Sequence, residues 1–113
     1  MTLDELFGVL TQMIREGAAA RGFDELEPQS GAFGGRSAHW RRRAEELVFS
    51  WDAKEQWFSF IFRPAPDHPP AFEWTGTLSD RYTGHDISDS DAQQLREGLT
   101  RVLAALWTRR PSR

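Results

Sequence analysis

Apolar residues recur at helical spacing near both ends of the chain. The first set stands at intervals of three and four positions: Leu3, Leu6, Phe7, Leu10 and Ile14. The second set has the same spacing: Leu95, Leu99, Val102, Leu103 and Leu106. Because an α-helix turns once in 3.6 residues, each set falls on one side of a helix. The pattern predicts two amphipathic helices that pack on a common core.

Residues that favour helix ends flank both predicted helices. Thr2 is placed to cap the first helix, and Gly22 is placed to end it in a left-handed turn. The second helix has two candidate caps, Ser90 and Ser88, each followed three positions later by a side chain that suits a capping pair. Pro111 is predicted to stop that helix.

Between the helices, apolar residues alternate with polar ones, which is the spacing of β-strands. Three runs show it: Leu47, Phe49 and Trp51; then Phe58, Phe60 and Phe62; then Phe72, Trp74, Gly76 and Leu78. Apolar and polar residues also alternate over residues 37–43, which are predicted as an optional fourth strand. Residues 24–36 are rich in glycine, which predicts a loop. The connections are too short for helical crossovers, so we expect antiparallel pairing.

The predicted fold class is therefore α+β. We expect one domain over residues 1–113, a two-layer αβββα arrangement in which a three- or four-stranded antiparallel meander carries the N- and C-terminal helices on one face.

The sequence has no cysteine, so disulfides, thiol nucleophiles and cysteine-ligated metals are excluded. It also lacks a signal peptide and a long apolar run, so we expect a cytoplasmic protein without a membrane segment.

Strand alternation also predicts which side chains point away from the helices. On that side stand Trp57 and Ile61 of one strand, and Arg63 stands at the end of the same strand. Val48 stands beside them on the neighbouring strand. Such a group favours a surface that binds a protein partner or a second copy of the chain. The competing interpretation is that the loop of residues 23–35 folds across these side chains, or that they are scattered surface residues.

A nucleic-acid interface is an alternative. A basic segment surrounds one tryptophan: Arg36, Trp40, Arg41, Arg42 and Arg43. Arginines interleaved with an aromatic ring are typical of sites that bind phosphates and stack a base. Two glutamates follow immediately, and the formal net charge is −3, which disfavours a polyanionic partner. Protection of an edge strand explains the same arginines.

An enzyme is the other alternative, and it would use His85 with Asp86 or His39. The sequence contains no nucleophile elbow and no phosphate-binding loop with its lysine, so it indicates no catalytic residues and no cofactor. Acidic residues near His85 lack the spacing of a calcium loop and suit the start of the second helix, so we expect no metal site. The leading hypothesis is a small non-catalytic protein-interaction module of the adaptor, chaperone or immunity-like class.

Overall fold

A computed structural model describes residues 1–31 and 34–109 of the chain. They form two helices and six strands. The helices are α1 (Leu3–Ala20) and α2 (Asp89–Thr108). The strands are β1 (Asp24–Glu25), β2 (Gln29–Ser30), β3 (Arg36–Arg42), β4 (Glu45–Asp52), β5 (Trp57–Arg63) and β6 (Phe72–Thr77).

All strand pairs are antiparallel, in the order β1-β3-β4-β5-β6, and β2 pairs with β3 on the same edge as β1. The predicted α+β class, with terminal helices on an antiparallel meander, is confirmed. The sheet has more strands than predicted. The optional strand is present as β3, and the glycine-rich segment before it adds β1 and β2, whose two-residue lengths are too short to show alternation in a sequence.

The helix ends follow their capping residues. Thr2 forms a capping box with Glu5, in which the Thr2 hydroxyl accepts from the Glu5 backbone N–H at 3.1 Å. After α1, Gly22 adopts a φ of 81°, the left-handed conformation expected of it. At α2 the earlier candidate cap is used, since the Ser88 hydroxyl accepts from the Asp91 N–H at 3.1 Å. Pro111, the predicted stop, lies outside the described residues.

The predicted strand sides are confirmed. Phe58 and Phe60 are fully buried beneath the helices, whereas Trp57 is 37% exposed. Both helix stripes and the inner sides of the strands belong to one buried cluster. Phe49 lies at its centre and stacks on Phe7 of α1, with ring centroids 5.0 Å apart. Burial of these rings removes about 150–250 Å² of aromatic surface each from water, which drives the two layers together.

The two helices begin at the same end of the sheet. Backbone hydrogen bonds join Met1 to Ile87, 3.0 Å in one direction and 2.7 Å in the other, so the starts of α1 and α2 are adjacent. At the other end Arg109, just after α2, donates to Glu45 at the start of β4. No helix within residues 1–31 and 34–109 combines the length and the apolar character that crossing a membrane requires.

Candidate protein-binding face

The side of the sheet turned away from both helices is called the open face. The register places on it Ser37, His39, Arg41, Glu46, Val48, Ser50, Asp52, Trp57, Ser59, Ile61, Arg63, Glu73, Thr75 and Thr77. The described part of the 23–35 segment pairs along the edge of β3 through β1 and β2 instead of crossing this face. The open face is therefore presented to the surroundings along β3 to β6.

The register arranges these side chains in rows that cross the strands. One end row holds Arg41, Glu46 and Arg63. Glu46 lies between the two arginines, with its oxygens 3.3 Å from Arg63 Nη1 and 3.8 Å from Arg41 Nη2. Two guanidinium groups share one carboxylate, so this row is positively charged overall.

The next row has an aliphatic centre. Val48 and Ile61 are direct partners across β4 and β5, with His39 on one side and Glu73 on the other. The His39 ring also contacts Ser37, with 2.9 Å between His39 Nε2 and Ser37 Oγ. Val48 and Ile61 are only half-buried, because neighbouring rows cover part of each side chain and nothing described lies over them. Two adjacent aliphatic side chains of this kind provide apolar contact area for a partner.

A row of small side chains separates the aliphatic pair from Trp57. It consists of Ser37, Ser50, Ser59 and Thr75. Ile61 and Trp57 are four positions apart along β5, a distance of about 13 Å at strand spacing. This row of hydroxyl groups lies between the aliphatic pair and the row of Trp57, Asp52 and Thr77, and we call it the trough. Alternation along a strand predicts the side of the sheet on which each residue lies. It does not predict this row, because rows depend on the register between strands.

A cleft continues the trough beyond the sheet. It has a volume of about 420 Å³, and Ser37 and Ser50 line it together with the β4–β5 turn. At that turn the Asp52 carboxylate accepts from the backbone N–H groups of Lys54 and Glu55, each at 3.0 Å. These hydrogen bonds fix the turn, which forms one wall of the cleft, and β2 forms part of the other wall.

The residues of the predicted nucleic-acid interface do not come together. Trp40 is only 1% exposed, and its indole N–H donates to Glu25 at 3.0 Å, so its ring is not accessible for stacking on a base. Arg36 stands at the start of β3 and pairs with Asp4 of α1.

The three remaining arginines of that segment point in different directions. Arg41 lies on the open face, and Arg42 points to the helix side, where its Nε donates to Glu45 at 2.8 Å. Arg43 forms the β3–β4 turn with a φ of 55°. Alternation along a strand separates neighbouring side chains onto opposite faces, so a run of consecutive arginines makes no single surface.

The residues of the enzyme alternative are also separate. His85 is exposed, and its Nδ1 accepts from the backbone N–H of Thr83 at 3.3 Å. His39 lies on the open face, and no hydrogen bond among the described residues joins either histidine to Asp86. Within the described ranges, no three acidic or histidine side chains are placed to hold a metal ion.

Comparison of the chain with protein-family models, with curated proteins and with solved structures finds no match.

Proposed function

We propose that the protein is a non-catalytic interaction module that holds a heterologous protein partner on its open face, as an adaptor, chaperone or immunity-like protein would. One observation carries the proposal. The two helices cover one side of the sheet, while the other side presents Trp57 and the Val48–Ile61 pair on either side of a hydroxyl-lined trough.

The shape and charge of the open face favour a protein over a small molecule. Small-molecule sites are concave and enclose most of the ligand, whereas this face is shallow. Its mixture of apolar groups, hydroxyls and paired charges is typical of transient protein interfaces. Glu73 stands at the β6 edge beside Ile61 and has no ion-pair partner among the described residues, so we expect the partner to place a basic side chain there.

The area of the open face favours a different chain over a second copy. Four strands about 4.8 Å apart and about 20 Å long present roughly 400 Å², half of the roughly 800 Å² per partner in a standard interface. Two copies meeting face to face would bury too little, and each carries a formal charge of −3. A partner segment that follows the trough into the adjoining cleft would bury more.

The proposal predicts that Ile61→Asp prevents complex formation. The complex is purified from cells that express the protein, and its mass is measured by light scattering beside the 13.0 kDa of the chain alone. The unaltered protein is expected in a larger complex that contains one copy of the chain and a different protein. A charge at position 61 would lie unpaired against the partner and weaken binding by at least about tenfold.

The matched control is Gln94→Asp on α2, which adds the same charge to an exposed position on the opposite side of the molecule. It is expected to retain the complex. Loss of the complex in both variants, or in neither, would count against the open face, and a mass of two copies would replace the heterologous partner with a homodimer. The absence of cysteine supports a reducing compartment, and we propose the cytoplasm.

A further inference from the structure

A second cleft, of about 290 Å³, lies where the ends of α1 and α2 meet the β3–β4 turn. Three arginines line it, and each guanidinium lies against an aromatic ring. The pairs are Arg21 with Trp107 at 4.4 Å, Arg42 with Phe23 at 4.4 Å and Arg109 with Phe62 at 4.5 Å from Cζ to ring centroid. We call it the arginine cleft. Stacking on rings holds the guanidinium planes in place without using their hydrogen-bond donors.

The arginine cleft has an excess of positive charge. Its only acidic lining residue is Glu45, which accepts from Arg42 Nε at 2.8 Å and from Arg109 Nη2 at 3.1 Å. Three guanidinium groups and one carboxylate leave two formal positive charges. The carbonyl ends of two helices oppose this with about half a negative charge each, so the cleft stays positive.

Most of the guanidinium donors remain available. Each group carries five N–H bonds. Beyond the two bonds to Glu45, Arg21 donates to the Gly17 carbonyl at 3.0 Å and Arg42 to the Arg21 carbonyl at 2.6 Å. No other acceptor for these three groups is found among the described residues. Most N–H bonds of these three lining arginines therefore have no acceptor among the described residues and are available to an anion in the arginine cleft.

The charge distribution of the whole molecule supports entry of an anion. The end of the sheet that holds the arginine cleft also carries Arg41, Arg43 and Arg63 beside the acidic Asp24 and Glu46, so these five residues add one further positive charge. The opposite end holds the acidic first turns of both helices, about 30 Å away at the rise of the 20-residue helix α2. At physiological salt, charges are screened within about 8 Å, so an anion near the arginine cleft responds to the local charge and not to the net −3.

We propose that the arginine cleft binds a phosphate monoester. A dianionic phosphate offsets the two formal positive charges of the side chains, and its three terminal oxygens suit forked donors from three guanidinium groups. A carboxylate has only two oxygens to accept from the same donors. The volume is small for a whole nucleotide and sufficient for a phosphate on a short stem. The phosphate can belong to a small metabolite or to a phosphorylated side chain of a protein.

The test is a titration followed by NMR at constant ionic strength, with glycerol 2-phosphate and a short phosphoserine peptide as the two probes. The indole N–H signal of Trp107 is expected to shift saturably, because Arg21 stacks on that ring, while the signal of Trp57 on the open face stays in place. Arg21→Gln is expected to raise the dissociation constant about tenfold, since it removes one charged donor. Arg81→Gln, an exposed change at the acidic end, is the matched control and is expected to leave the constant unchanged.

Tighter binding of glycerol 2-phosphate indicates a metabolite, and tighter binding of the peptide indicates a modified protein. Either result supports the proposal. It is overturned if neither probe shifts Trp107 saturably, if Arg21→Gln binds as well as the unaltered protein, or if duplex DNA binds equally well per phosphate. Arg21 is exposed, so the variant is expected to fold, and a thermal melt of each variant checks this.

Discussion

Thr11 places a hydroxyl group in the hydrophobic layer beneath α1. Its side chain is 6% exposed, and Oγ1 has no hydrogen-bond partner within the described residues. A buried hydroxyl without a partner costs about 1–3 kcal/mol. Valine has nearly the same shape and a similar helix propensity. We therefore expect Thr11→Val to raise the free energy of unfolding by about 1 kcal/mol, measured by urea denaturation.

The control for Thr11→Val is Thr100→Val on the exposed side of α2, where the hydroxyl bonds to the Arg96 carbonyl at 2.7 Å. That change is expected to alter stability by less than about 0.5 kcal/mol. A loss of stability in Thr11→Val would show that the Thr11 hydroxyl has a partner in the native protein.

Single residues show where the sequence was sufficient. Because Trp57 is adjacent to Phe58, alternation predicts that it lies on the side opposite to Phe58, and the structure confirms that side. Trp40 shares its parity with Ala38, and both are buried. This alternation indicates a buried Trp40, whereas the arginines on both sides of it are typical of a phosphate-binding segment. The indole N–H of Trp40 reaches Glu25, fifteen positions earlier, which no local pattern predicts.

At the scale of elements, glycines mark where tryptophans lie against helices. A Cβ atom added at Gly98 of α2 would lie 2.8 Å from Trp74 Nε1, and one at Gly17 of α1 would lie 2.6 Å from Trp107 Nε1. Gly17 interrupts the helical pattern in the sequence without a visible reason. The reason is the close approach of a ring from another element, which only the packed structure shows.

This packing predicts that Gly98→Ala is destabilising, although alanine is the better helix former. The added methyl group would displace Trp74 and loosen the contact between α2 and β6, at a cost of about 1–3 kcal/mol. Gly8→Ala is the matched control, because nothing lies within 4 Å of the added atom in α1. It is expected to raise the free energy of unfolding by about 0.5–1 kcal/mol. Equal effects of the two changes in thermal or urea denaturation would contradict this packing.

Glu25 connects α1 to the sheet edge. Its carboxylate accepts from Arg15 Nε at 2.6 Å and from Trp40 Nε1 at 3.0 Å. The hydrogen bond from Arg15 is the main cause that holds the pKa of Glu25 below its usual 4.5, the bond from Trp40 acts in the same direction, and partial burial opposes both. A lowered pKa in the folded state means that the stabilisation is present above about pH 4.5 and is lost as the pH falls through the folded-state value.

We therefore expect the unaltered protein to lose more stability than Glu25→Gln when the pH falls from about 6 to about 3. The difference should not exceed about 1 kcal/mol, because both members of the pair are partly exposed. Glu27→Gln, at an exposed position nearby, is the control and should follow the unaltered protein in denaturation series across this range. A pH dependence in Glu25→Gln as steep as that of the unaltered protein would contradict the assignment.

The main elements were predictable because each has a strong period. Both helices and β4 to β6 follow directly from the spacing of their apolar residues. The structure adds β1 and β2, which exist only because the chain returns along β3 and completes its edge. Long-range pairing of this kind depends on the assembled sheet and leaves no local period.

At the scale of the whole molecule, the sequence predicts the members of the open face but not their arrangement. Alternation along the strands predicts that Val48, Trp57, Ile61 and Arg63 lie on one side, whereas the trough follows from the register of four strands. The arginine cleft was not predicted at all, since its arginines come from three separate segments that meet only when both helices dock. Surface rows and clefts that form only when the helix and sheet layers assemble are therefore not predictable from a single sequence.

The most direct measurement of the central claim is photo-cross-linking from the middle of the open face in cells that express the protein. A benzophenone amino acid at position 59 lies in the trough between Ser50 and Thr75, and one at position 94 on α2 lies on the opposite side. We predict a covalent adduct to one heterologous protein from position 59 and none to that protein from position 94. An adduct from position 94 alone, an adduct to a second copy of the chain, or no adduct from position 59 would contradict the account.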